Sequence, residues 1–95
     1  MNSDDLCTEL ARLVRAENLF NPDYATLVAA RLDRRQAPSE EAIGGLLPPG
    51  SYAKPIKDLV LALDALAIYL RRPYPNGLEN VSNLIASYKA ARQLR

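Results

Sequence analysis

The sequence predicts an all-α protein, a compact bundle of four main helices plus one short helix. Three observations lead there. Apolar residues recur at i, i+3, i+4 and i+7 through most of the chain. No run of β-branched residues alternates with polar ones, so the strand signal is missing. Prolines 22, 38, 48, 49, 55, 73 and 75 cut the chain into helix-sized pieces. The 95 residues fit a single helical domain, 1–95, with room for one modest core. A hydrophobic fraction of 48% against 24% charged residues argues against a disordered chain.

The first helix is expected over about 3–18. Asn2 or Ser3 can cap it, and Asp4 and Asp5 suit the positive end of its dipole. Leu6, Leu10, Leu13 and Val14 form its buried face with Cys7 beside them. Leu19 and Phe20 then plug the end of the core. The second helix is expected over about 22–35, with Asn21 as cap, Pro22 at the favoured first position and Asp23 in the first turn. Tyr24, Leu27, Val28 and Leu32 are expected to face inward. Arg31, angled between Tyr24 and Leu27, is expected to lie at the core edge near Glu9.

Ser39-Glu40-Glu41 opens a short helix over about 39–46, weakened by Gly44 and Gly45. Leu47 to Ser51 form a stiff connector, and Ser51 can begin an irregular turn into the fourth helix, about 55–72. Its core face carries Ile56, Leu59, Val60, Leu63, Leu66, Ala67 and Leu70. Arg71 and Arg72 end it, and Pro73-Tyr74-Pro75 enforces the stop. The last helix is expected over about 77–93, with Asn76 and Glu79 as a capping box. Leu78, Val81, Leu84, Ile85 and Tyr88 make its stripe, and Lys89, Arg92 and Arg95 close it before a frayed end.

The chemistry is narrowed by what is missing. Histidine is absent and cysteine occurs once, which removes Ser-His-Asp and Cys-His catalysis, a Cys/His zinc site and an internal disulfide. Asp4/Asp5 and Glu40/Glu41 are adjacent pairs, splayed by about 100° on a helix, so each pair reads as dipole chemistry rather than a converging acid–base couple. The glycine-rich stretch 44–50 lacks a Gly-Lys-Ser/Thr ending and contains two prolines without N–H donors, so it is no phosphate loop. The expectation is therefore a chain with no cofactor, no metal, no small-molecule substrate and no enzymatic activity.

The acidic start MNSDDLCTEL does not read as a secretory signal, and the apolar run 59–70 is too short to span a bilayer, so a cytoplasmic protein is expected. The Arg, Ala, Leu and Pro bias fits a bacterium of high GC content or its phage.

One feature points toward function. Leu61 and Ile68 stack two turns apart on the fourth helix, away from its core face, between charged rows of Lys57, Asp64 and Arg71 and of Asp58 and Arg72. Either another helix of the chain covers that strip or another molecule does. An apolar strip rimmed by both signs of charge suits a specific protein contact. Tyr69 and Tyr74 add residue types enriched in such contacts. The candidate interface is thus Leu61, Asp64, Ile68, Tyr69, Arg71, Arg72 and Tyr74. The expected function is a protein–protein interaction module (an adaptor, regulator or inhibitor) that pairs with another protein or with itself as a homodimer.

The alternative is a DNA-binding transcriptional regulator built on the second and third helices, with Arg34 and Arg35 as its contacts. A net charge of only +1, and carboxylates at the start of the would-be reading helix, argue against nucleic acid.

Overall fold

In the computed structural model, residues 2–50 and 54–93 are described. Five helices follow one another: α1 (Ser3–Ala16), α2 (Pro22–Asp33), α3 (Glu40–Gly44), α4 (Lys54–Arg71) and α5 (Gly77–Arg92). About 73% of the described residues are helical, and none of them forms a strand. The expected Ser51 turn and the closing role of Arg95 lie outside the described residues.

The caps read from the sequence form at three helices. Asn2 Oδ1 accepts the Asp5 N–H at 2.9 Å, Asn21 Oδ1 accepts the Asp23 N–H at 2.9 Å, and Ser39 Oγ accepts the Ala42 N–H at 3.1 Å. The fourth does not. Asn76 sits in the left-handed region at φ 61° and makes no side-chain cap bond, so the expected capping box is replaced by a tight turn in which the Gly77 N–H donates to the Tyr74 carbonyl.

α2 stops two residues early for a comparable reason. Gln36 N–H reaches back to the Arg31 carbonyl and Arg35 N–H to the Leu32 carbonyl. That is a Schellman ending, with Arg35 at φ 60° where glycine is usual.

α1 packs chiefly on α2, and α4 chiefly on α5. α3 bridges α2 to α4, while α1 lies against both α4 and α5. One contiguous core draws on all five helices. Leu6, Leu10, Leu13 and Val14 of α1 are buried as the spacing predicts, as are Ile56, Leu59, Leu63, Leu66 and Ala67 of α4.

Two expected burials fail. Phe20 is buried, but Leu19 is 58% exposed, because only one of two adjacent residues can point into the end of the bundle. α2 is rotated from the expected face. It buries Ala25, Val28, Ala29 and Leu32 and leaves Leu27 57% exposed. Both sets have helical spacing, and the alanine-bearing one lets α2 approach its neighbours closely. Arg31, one turn beyond Leu27, goes outward with it and makes only a long 3.5 Å contact to Gln36. Glu9 is instead held by Arg12 at 2.7 Å and by Lys89 of α5 at 2.8 Å.

Candidate functional site

The outer side of α4 stays open in the single chain. Leu61 is 41% and Ile68 53% exposed, so no helix among the described residues covers them fully. Beside Ile68, α3 and α4 enclose a groove of about 410 Å³. Its floor is aliphatic, from Ile43, Val60, Ala67 and Ile68. Its walls carry Glu40, Asp64 and Arg71, and Gly44 forms its lip. A second groove of about 420 Å³, between Leu19 and the Pro48-Pro49 corner, shares that lip at Gly44.

Asp64 is half-buried, and its carboxyl is raised above the usual range. Burial is the largest cause, the negative Glu40 adds to it, and Arg71 opposes it. Arg71 makes no ion pair within 4 Å among the described residues. Its Nη2 donates to the Pro38 carbonyl at 2.7 Å, which ties the end of α4 to the start of α3.

The seven candidate interface residues therefore separate. Leu61, Asp64 and Ile68 share the open outer side of α4, and Arg72 lies exposed at its end. Tyr69 and Tyr74 are turned toward each other instead, edge to face with ring centres 5.9 Å apart. They close over Gly77, where an added Cβ would lie 2.7 Å from Tyr69 Cδ2 and 3.0 Å from Tyr74 Cζ. They pack the α4–α5 corner, and a side chain at Gly77 would displace them.

The alternative cation pair also separates. Arg34 is exposed. Arg35 is engaged, donating to the Leu32 and Asp33 carbonyls at 3.2 and 3.3 Å and to Thr8 Oγ1 at 3.1 Å, with Asp4 at 3.4 Å. It fastens the end of α2 to the start of α1.

Sequence reasoning missed the most buried charge among the described residues. Glu17, directly after α1, turns inward and is only 4% exposed. It accepts from Tyr88 Oη at 2.7 Å, from Arg92 Nη2 at 2.8 and 2.9 Å, and from the Leu19 N–H at 3.1 Å. Burial, and the bond to that carboxylate, push the Tyr88 hydroxyl up to about 12. Tyr88 and Arg92 are four apart on α5, so they share a face, and a tyrosine–arginine pair on a buried stripe calls for a carboxylate. That was the available signal.

Cys7 is buried, and burial raises its thiol above the ordinary value, with Arg35 opposing and Asp4 adding. Among the described residues, no three Cys, Asp or Glu side chains converge as a metal site, and no helix is long and apolar enough to cross a membrane.

No family model, curated protein or solved structure matches this chain.

Proposed function

We propose that this chain is a non-enzymatic interaction module that associates through the outer side of α4 and the adjoining α3–α4 groove, with a second copy of itself as the first partner. The observation that carries the reading is the exposure of Leu61 and Ile68, 41% and 53%, on a helix whose other side buries Ile56, Leu59, Leu63 and Leu66. A single exposed leucine is ordinary. Two aliphatic side chains next to an apolar groove with charged walls have the composition of an interface. Burying what remains open of the two contributes roughly 1 kcal/mol each.

Engagement of Arg35 with Asp4 and Thr8 weighs against duplex binding, since it takes up one of the two cations that reading needs. A cytoplasmic setting in a bacterium or phage host belongs to the same proposal and rests on composition alone.

Sedimentation equilibrium tests it. The wild type is expected to be dimeric at tens of micromolar. Leu61→Asp is expected to give a monomer with unchanged far-UV circular dichroism, because Leu61 supports no core contact that the fold needs. A wild type that stays monomeric, or a Leu61→Asp chain that unfolds, removes the reading.

A further inference from the structure

Resting on that self-association reading, we propose that the α3–α4 groove of one copy receives the outer face of α2 from a second copy, with Leu27 on the apolar floor and Arg31 and Arg34 against Asp64 and Glu40. The α2 face is formed by Leu27, Ala30, Arg31 and Arg34, which follow the i, i+3, i+4, i+7 pattern and are all exposed. It places an aliphatic residue at one end and two cations at the other. Arg31 makes only its long contact to Gln36, and Arg34 has no side-chain partner among the described residues. The groove is its complement. Ile43, Val60 and Ile68 make an aliphatic floor, and Glu40 and Asp64 stand in the walls without an ion pair among the described residues. Arg71 is the cation of the same lining, but its guanidinium donates to the Pro38 carbonyl at 2.7 Å, and the two carboxylates outnumber it.

The lengths agree. Leu27 to Arg34 spans roughly 10 Å of helix, and Val60 to Arg71 along the groove roughly 16 Å.

Pairing α4 with its own copy is the competing arrangement, and charge disfavours it. Asp64 lies between Leu61 and Ile68 in sequence and close to them in angle. Any two-fold pairing that sets Leu61 against Ile68 of the second copy brings the two Asp64 carboxylates together, and like charges across an interface are unfavourable. Docking α2 brings cations there instead. Each copy carries both halves, so a two-fold dimer makes the contact twice.

A charge exchange tests this. One variant carries Arg31→Glu and Arg34→Glu; the other carries Glu40→Lys and Asp64→Lys. Each keeps one half of the contact and reverses the other. Each alone is expected to dissociate at least about tenfold more readily than wild type, and an equimolar mixture is expected to recover a heterodimer. Circular dichroism on each confirms the fold, and if Asp64→Lys unfolds the chain, Glu40→Lys alone replaces the second variant.

A dimer that Leu61→Asp breaks but the α2 variant leaves at wild-type affinity overturns this inference and spares the self-association reading. A mixture that stays monomeric while both variants are folded overturns it too. A wild type without any dimer overturns both.

Discussion

Removing the Glu17 carboxylate should unfasten α1 from the end of α5. Glu17→Ala leaves Tyr88 Oη, on a residue only 2% exposed, without its 2.7 Å acceptor. An orphaned buried hydroxyl costs about 1–3 kcal/mol. Arg92 is 38% exposed, so its guanidinium returns to water and its ion pair contributes at most about 1 kcal/mol. Releasing a buried carboxylate from its desolvation offsets part of the loss. The net destabilisation is about 1–3 kcal/mol, against a total of roughly 5–14 kcal/mol for a domain of this length. The midpoint of thermal unfolding should fall by about 5–20 °C.

Urea melts followed by circular dichroism give the comparison, with Tyr88→Phe and the double variant completing a cycle. Tyr88→Phe alone should cost about 0.5–1.5 kcal/mol, since Glu17 keeps Arg92 and the Leu19 N–H. The double variant should cost less than the sum of the two, because the hydroxyl that Glu17→Ala strands is no longer there. A Glu17→Ala chain within about 0.5 kcal/mol of wild type, or a strictly additive cycle, would refute the reasoning.

The same hydroxyl sets an alkaline limit and the glycines give a contrast. Tyr88 is held protonated up to about 12, above its ordinary value of 10.0. Folding is therefore unaffected by this group below about pH 10 and weakens as pH rises from there toward 12, by roughly 2–3 kcal/mol in all, because ionisation sets a buried phenolate against the Glu17 carboxylate; urea melts on either side of that window would read it. Melts that do not move there, or that move equally in Tyr88→Phe, would contradict it. Gly77→Ala should cost about 1–3 kcal/mol, because its Cβ meets Tyr69 at 2.7 Å, whereas Gly44→Ala, with nothing within 4 Å, should be neutral or stabilising by up to about 1 kcal/mol. Equal effects of the two substitutions in thermal melts would count against this packing of the α4–α5 corner.

Where helices begin was legible because the signals are local. Asn21-Pro22-Asp23 and Ser39-Glu40-Glu41 specify a cap and a first turn without help from the rest of the chain. The broad face of α4 was legible because its aliphatic positions leave one rotation open. α2 has two sets of positions at the same spacing, and the choice between them depends on how closely a neighbour can approach, a tertiary fact that periodicity does not hold. Arg35 in a glycine's place and Asn76 in a left-handed turn follow from how the chain must bend into the next element. Tyr69 and Tyr74, which composition marks for contact, are drawn instead to the bare backbone of Gly77. Of the site, the open strip of Leu61 and Ile68 was legible. The groove beside it was not, since it exists only once α3 is laid across α4.

The Glu17 clasp also bears on how the molecule comes apart. α1 with α2, and α4 with α5, are pairs of consecutive helices that can form from local contacts. Glu17 and Arg92 are 75 residues apart and must find each other across nearly the whole chain. Closing so long a loop is slow to be rewarded, so the clasp belongs to the final stage of assembly. A bond absent from the barrier leaves the speed of folding alone and sets how long the native state lasts. Glu17 is therefore expected to act as a kinetic latch: Glu17→Ala should speed unfolding and leave the folding rate unchanged.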